Sequence, residues 1–250
     1  MQSKEKIVSA AYVRKSTIIS VVFLLLFIGG CIAAWKWLYK QPEEAGALAP
    51  LRKVLHANEF IFGNIYSNAN LSKTFPVKEA VPRVRVNGDA GLSKNFDTSA
   101  WRLQVIKSPG DTLFLTLNDI KKLPKTELIF NFKCIEGWSQ VTHWGGVRFS
   151  DFVKHYGLTK QSQMQFTALI TPDKGYYVGI DNRSMLHAQT ILCYEMNGNT
   201  LPMNQGYPLR LIIPVKYGVK HLKRIGTISF SNQRPRDYWY ERGYDYYCGL

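Results

Sequence analysis

The apolar positions divide the chain into three regimes. From Thr17 to Trp35 no residue is charged, and Ile, Val, Leu and Phe dominate. That length matches one crossing of a bilayer's hydrocarbon core, so a transmembrane helix is predicted, with the anchor set at residues 17–38. Leu51, Val54, Leu55 and Phe62 then recur at near-helical spacing, which predicts a short helix over 51–62. From Trp101 onward the pattern becomes short alternating runs bounded by turn residues. Strands are predicted over 101–106, 126–132, 164–170, 191–196, 209–213 and 225–230. Ser108-Pro109-Gly110-Asp111 marks a turn, and Asn197-Gly198 a two-residue hairpin. Short helices fall between the strands. One runs from Leu117, capped by Asn118 and stopped by Pro124. Another covers 151–156, with Ser150 as its cap and Gly157 at its end. A helical turn covers 181–187. Many short strands with small helices between them predict an α+β domain dominated by sheet. Residues 64–86, rich in Asn, Ser and Pro, read as extended chain laid over that domain. The boundaries that follow are a basic tail over 1–16, the anchor over 17–38, a linker over 39–57 and one globular domain over 58–250.

The flanks of the apolar run orient it. Lys4, Lys6, Arg14 and Lys15 precede it, while Trp35, Trp37 and Tyr39 form an aromatic belt with Lys36 and Lys40. The balance favours an inner N-terminus and an outer C-terminal domain, a single-pass protein of the inner membrane. Ile28-Gly29-Gly30-Cys31 has the form of a lipoprotein cleavage box, which would make Cys31 a lipidated residue. Ile32 to Trp35 continues the apolar run past it, however, and the run is too long for a cleaved signal peptide. An uncleaved anchor is the expectation.

Charge narrows the partners. Over 250 residues the formal net charge is +14. Nucleic acid, anionic lipid heads and an anionic cofactor are the three candidate causes. The sequence holds no RNP, zinc-finger, homeodomain or basic-zipper pattern, so no nucleic-acid partner is expected. Lys and Arg are scattered, apart from one concentration between Lys216 and Arg224.

Two stretches carry candidate chemistry. In Phe130-Asn131-Phe132-Lys133-Cys134-Ile135-Glu136-Gly137-Trp138-Ser139 a predicted strand ends at a cysteine, and a glycine-containing turn follows. A thiol held there can serve as a soft metal ligand or a nucleophile; the alternative is a buried structural cysteine. Cys31, Cys134, Cys193 and Cys248 have no C-x-x-C spacing, so no structural zinc site is supported, and nothing in the spacing favours a Cys193–Cys248 disulfide. In the second stretch Arg210 interrupts the apolar run Leu209–Ile213. Lys216-Tyr217-Gly218 then makes a basic turn beside Lys220, His221 and Lys223. A buried arginine needs an anion or several acceptors, and Gly218 lets backbone approach a ligand closely. The set describes a pocket for a phosphate-bearing ligand, against the alternative of a solvated basic loop. His143 stands near Cys134 and could line a cleft, His187 reads as a core residue, and His56 and His155 as surface or packing residues; none is expected to ligate metal.

Cys134-Ile135-Glu136-Gly137-Trp138-Ser139, with Asn197-Gly198-x-x-Leu201-Pro202, Gly206-x-Pro208-Leu209-Arg210-Leu211-Ile212-Ile213-Pro214 and Lys216-Tyr217-Gly218-x-Lys220, resembles the oxidoreductase molybdopterin-binding domain of the sulfite oxidase superfamily. The likeness covers roughly Trp101 to Trp239, and Cys-x-Glu-x-Trp-Ser looks like the branch of the periplasmic protein-methionine-sulfoxide reductase catalytic subunit. The resemblance implies a mainly β sulfite-oxidase-type fold with molybdenum-bearing molybdopterin as cofactor. By the same resemblance Cys134 is the thiolate ligand to the metal and Glu136 a proton relay beside it. Asn58 approaches the metal from the lead-in, and Gln205 hydrogen-bonds the pterin. Arg210 holds the cofactor phosphate, His221, Leu222 and Lys223 contact the same end, and Thr167 or Ala168 falls near a threonine contact of the family. The implied activity is two-electron oxygen-atom transfer, foremost the reduction of an S-oxide in the periplasm. The alternatives are oxidation of sulfite or a similar oxyanion, and a non-catalytic binding or assembly subunit. The chain leaves no room for a haem domain, so the implied electron partner is a haem-bearing membrane subunit or a small cytochrome. Only Arg14-Lys15 stands where exported members of this branch usually carry twin arginines.

Overall fold

The first ordered element of this computed structural model, which describes residues 8–67 and 69–250, is helix α1 (Ala10–Leu38). Lys4 and Lys6 of the predicted tail lie outside the described residues. Ser9 caps the helix by accepting a hydrogen bond from the Tyr12 N–H at 3.3 Å. The helix begins before the predicted span and takes in Arg14 and Lys15, and none of its residues is buried. Among the described residues it is the one helix long and apolar enough to cross a membrane.

The stretch expected as a linker is ordered instead. Strands β1 (Glu43–Glu44) and β2 (Ala47–Leu48) form a small hairpin, and helix α2 (Ala49–Ile65) follows at once. The helix starts earlier than predicted because Pro50 falls in its first turn, where no backbone N–H is needed. Arg52 is fully buried. Its guanidinium donates to the carbonyls of Glu44, Ala45, Tyr240 and Tyr244, and stacks 4.2 Å from the Tyr240 ring centroid. One side chain thus fastens the hairpin and α2 to the C-terminal segment. Residues 69–86, most of the stretch expected to run extended over the domain, do so apart from a single 3-10 turn at Val77–Glu79, while residues 64 and 65 belong to α2. Thr74 bridges Phe130, and the Val81 N–H donates to the Val141 carbonyl at 2.9 Å.

The domain is two five-stranded sheets. In chain order come β3 (Leu103–Ser108), β4 (Asp111–Leu115), α3 (Leu117–Lys121), β5 (Lys125–Lys133) and β6 (Ser139–Arg148). Next are α4 (Phe149–His155), α5 (Thr159–Ser162), β7 (Phe166–Ile170), β8 (Tyr177–Asp181) and α6 (Asn182–Met185). The series ends with β9 (Ile191–Met196), β10 (Asn199–Thr200), β11 (Arg210–Ile212) and β12 (Thr227–Ser231). One sheet has the order β10-β9-β6-β5, with β11 also paired to β9. The other runs β4-β3-β12-β7-β8, with β12 parallel to β3. Leu103, Val105, Phe149, Phe152, Leu169 and Ile228 belong to the larger apolar cluster; Phe130, Phe132, Trp144, Cys193 and Ile212 belong to a second one on β5, β6, β9 and β11.

Three strands depart from the pattern reading: β4, β6 and β8. The longest, β6, is buried over most of its length and pairs on both sides, with β5 and β9, so polar and apolar residues do not alternate along it. Its Gly145-Gly146 pair lies at a register shift against β9, where a Cβ on Gly146 would stand 2.2 Å from the Leu192 carbonyl oxygen. Helix α3 is capped by Thr116 rather than Asn118, in a reciprocal box with Asp119. Ser150 lies inside α4 and makes no cap. Cys193 and Cys248 are free and buried, without a disulfide between them, and burial pushes both thiols up to about 12.

Candidate active site

Cys134 follows the last residue of β5 directly. The turn to β6 is closed by the Cys134 N–H donating to the Trp138 carbonyl at 2.9 Å and the Gly137 N–H donating to the Cys134 carbonyl at 3.1 Å. Gly137 takes φ +88°, which suits glycine. Burial pushes the Cys134 thiol up and the Glu136 charge adds to the rise, while the Glu136 and Ile135 backbone and the Asn87 side chain pull the other way without overcoming it. The protein alone thus favours the thiol, and the thiolate that binds metal would be brought out by the metal's own charge. Glu136 is exposed at the rim and accepts from Trp138 Nε1 at 2.8 Å.

Phe132, two residues before the thiol, fixes what faces it. Its ring lies edge-on to His221, 4.7 Å between centroids, and a Cβ on Gly218 would come within 2.9 Å of it. This contact sets the 218–223 loop against the end of β5, and one cleft holds Cys134, Glu136, His221 and Lys223. His221 is held down at about 3, first by burial and then by the Arg210 charge, so its ring is neutral. Both ring nitrogens are engaged: Nε2 lies 3.1 Å from the Lys216 carbonyl, and Nδ1 accepts from the Ile213 N–H at 3.4 Å. The imidazole therefore shapes the loop, leaving its backbone to face a ligand. Lys216 and Lys220 brace the same loop through buried pairs with Asp181 and Asp237.

Behind this loop Arg210 is buried and donates to the Gln205 carbonyl at 3.1 Å and to Gln205 Oε1 at 2.8 Å, with its plane 4.6 Å from the Trp144 centroid. Its Nε has no partner among the described residues. Gln205 Nε2 in turn donates to the carbonyls of Val84 and Arg85, tying the lead-in chain to the arginine. Lys223 Nζ donates to the carbonyls of Asn87 and Gly88 at 2.8 and 2.9 Å. Burial, and then the Arg210 charge, bring this ammonium down to about 7.

The remaining sequence-predicted residues divide clearly. Leu222 does not line the cleft; its side chain is fully buried in the larger apolar cluster, and its carbonyl accepts from the Leu211 N–H at 2.9 Å. Asn58 does not join the cleft; it is exposed on α2 beside a separate groove that also includes Tyr217 and Tyr247. Thr167 is buried on β7, bonded to Asn182, and does not reach Cys134. His143 pairs instead with Glu127 at 3.5 Å. Asn87 is the residue that pattern reading passes over: it lies in a stretch without periodicity, and only the Asn87-Gly88 turn signal marks it. Tyr176, Trp239 and Tyr244 complete the cleft's aromatic wall.

The family profile described as "Oxidoreductase molybdopterin binding domain" matches residues 90–239. The chain belongs to this family. Its members are oxidoreductases whose cofactor is molybdopterin, and the chain is such an enzyme. It is 30% identical over 228 residues to the protein-methionine-sulfoxide reductase catalytic subunit MsrP of Campylobacter jejuni, covering 81% of this chain and 77% of that one. A protein of Azospira oryzae provisionally named protein-methionine-sulfoxide reductase subunit YedZ1 is 30% identical over 185 residues, 74% of this chain and 67% of its own. The crystal structure of the sulfane dehydrogenase SoxCD from Paracoccus pantotrophus shares the fold, with a TM-score of 0.50 and 15% identity; the match covers 67% of this chain and 46% of that one.

The residues present fit a molybdopterin. Among the described residues no three His, Cys, Asp or Glu side chains converge to hold a metal, so a metal at Cys134 must arrive with ligands of its own, and a pterin dithiolene supplies them. Lys223 lines the cleft, and Arg210, outside the lining but directly behind the loop, has its Nε unpaired among the described residues, so this end of the cleft is the cationic one and suits an anionic group. Asn87→Ala is expected to reduce molybdenum retention by roughly 10–100-fold, as loss of a ligand's outer partner does; elemental analysis of purified protein measures it. Inorganic pyrophosphate is expected to bind the cofactor-free protein best below pH 7. A protonated Lys223 is needed, so affinity falls as pH rises, by at most about tenfold per pH unit for one proton. Calorimetry across pH checks this, and Lys223→Gln is expected to flatten the profile.

Proposed function

We propose that the chain is a membrane-anchored, periplasm-facing enzyme that reduces S-oxides, with Cys134 as the protein's ligand to molybdenum. When bound, the cofactor supplies two-electron oxygen-atom transfer; reducing a sulfoxide to a thioether takes two electrons and two protons and yields water. The polypeptide's share is placement. The 134–138 turn holds the sulfur, and Arg210, Gln205, Lys223 and the 221–223 backbone hold the anionic end. Glu136 is the cleft carboxylate placed to pass a proton between solvent and the site. Tyr176, Trp239 and Tyr244 give the substrate an apolar wall.

The observation that carries this reading is the sign of the cleft. Among the described residues no arginine lines it, its one lysine is the group assigned to the cofactor's anionic end, and a carboxylate stands at its rim. A site for a small oxyanion such as sulfite calls for cationic forks turned inward. An aromatic wall beside a carboxylate suits a neutral S-oxide. The similarity to the methionine-sulfoxide reductase subunits supports the same choice. Electrons come from a separate carrier, a haem-bearing membrane subunit or a small cytochrome.

The test uses purified full chain in detergent with its metal content measured. Reduced viologen is expected to be oxidised on addition of methionine sulfoxide, and ferricyanide not to be reduced on addition of sulfite. The opposite pattern would assign the oxyanion chemistry, and a domain purified without molybdenum would assign a binding or assembly role.

A further inference from the structure

The outward face of α2 has no partner among the described residues. Leu51, Val54, Ile61 and Ile65 recur at spacings that alternate between three and four once Asn58 is counted, so they form one stripe. They are 48%, 57%, 51% and 68% exposed, and Phe62 beside them is 61% exposed. The opposite face is clamped to the domain. Arg52 binds the carbonyls of Tyr240 and Tyr244, His56 Nε2 lies 3.3 Å from the Tyr240 hydroxyl, and Glu59 pairs with Arg234 at 2.6 Å. These contacts turn Leu51, Val54 and Ile61 away from the domain, while Phe62 and Ile65 border the groove shared with Tyr217 and Tyr247.

The position of the helix says what covers the stripe. The Ala49 N–H donates to the Pro42 carbonyl at 2.9 Å, so α2 begins beside residue 42. That residue is four past Leu38, where α1 ends, and four residues reach at most about 14 Å. The last turns of α1 expose Trp35, Trp37 and Tyr39, the residue types that settle at headgroup level. Exposed Lys36, Lys40 and Lys53 surround the junction. Resting on the membrane placement proposed above, we infer that α2 lies flat in the headgroup layer of the bilayer that α1 crosses, apolar stripe downward. It is an interfacial helix that seats the catalytic domain on the lipid. A second copy of the chain fits the stripe less well. At 17 residues α2 offers little more than two heptads, short of the three to four that a coiled coil needs, with Asn58 at their centre.

The experiment uses the full chain carrying Cys31→Ser, reconstituted in vesicles of phosphatidylcholine and phosphatidylglycerol. A nitroxide is attached in turn at Ile61→Cys, Ile65→Cys, Phe27→Cys within α1, and Lys122→Cys on the exposed surface. Relaxation by dissolved oxygen and by a water-soluble nickel chelate is then compared. Ile61 and Ile65 are expected to lose nickel relaxation and gain oxygen relaxation as Phe27 does, while Lys122 keeps its nickel relaxation. If Phe27 is lipid-exposed but Ile61 and Ile65 report water, the seating of α2 is wrong and the span stands. Nickel relaxation at Phe27 would remove the membrane placement and this inference with it. Shielding at Ile61 accompanied by dipolar broadening that grows with the protein-to-lipid ratio would assign the stripe to a second copy and overturn the inference. The vesicles contain no other protein, so shielding in them cannot come from a partner subunit.

Discussion

Cys134→Ser is expected to purify as a folded protein that has lost nearly all its molybdenum and its turnover. An outer hydrogen-bond partner of a metal ligand is worth roughly 10–100-fold in metal retention, so loss of the ligand itself exceeds that range. Oxygen is a harder donor than sulfur, and a serine hydroxyl near neutral pH stays protonated, so the replacement offers neither the softness nor the charge of the thiolate. Folding survives because the two side chains are nearly the same size and the turn is closed by main-chain bonds, Cys134 N–H to Trp138 and Gly137 N–H to Cys134. Circular dichroism and elemental analysis on one preparation separate the effects. Full metal and full activity in this variant would be incompatible with the ligand role.

The second large effect is expected at Arg210, and its diagnostic is a difference between two states. Arg210→Met keeps the length of the side chain and removes the guanidinium. In the cofactor-free protein two changes oppose one another. The Gln205 carbonyl and Oε1 lose a donor, at about 1–3 kcal/mol for each buried acceptor left alone. Against this, burial holds the guanidinium down at about 10, and removing a charge so disfavoured returns about 3 kcal/mol. The terms nearly cancel, so the thermal midpoint of cofactor-free protein is expected to move by only a few degrees, at roughly 2–4 °C per kcal/mol for a chain of this size. The cofactor-loaded protein is expected to lose the additional stabilisation that loading gives the native enzyme, because its anionic end has lost its buried cation. A purely structural arginine would lower both midpoints alike. Calorimetric scans of the two forms of each protein decide the matter.

The sequence was most legible where a single face is buried or a turn imposes its own residues. Lys125–Lys133, buried on alternate residues, covers the predicted strand 126–132, and Asn197-Gly198 makes the two-residue hairpin, with Met196 opposite Asn199. The extended lead-in over the sheet was also visible, in the loss of any period. β6 was not, because a strand packed on both faces and carrying adjacent glycines has no period of two. The α3 cap went to Thr116 because Asp119, three residues on, returns the bond; Asn118, two positions later, is followed at that spacing by Lys121, which cannot return it.

At the site, the cysteine turn and the 221–223 loop were each readable locally, and the fold brings them together through the Phe132–His221 contact. Two asparagines show where local reading stops. Asn58 sits in a helical pattern that resembles a family segment, yet its side of α2 faces away from the cleft. Asn87 sits in chain marked only by a turn signal and lines the cleft together with Cys134. Its placement depends on Lys223 grasping the carbonyls of residues 87 and 88 from 135 and 136 residues away in sequence, a distance no periodicity spans.

That Cys134 stands alone bears on how the enzyme stays clean in a cell. Copper and zinc defeat scarcer metals wherever a protein assembles several nitrogen and sulfur donors around a point. Among the described residues no such set forms here, so the empty polypeptide is a poor trap for either. A metal seated at Cys134 would have to come with its remaining donors already attached.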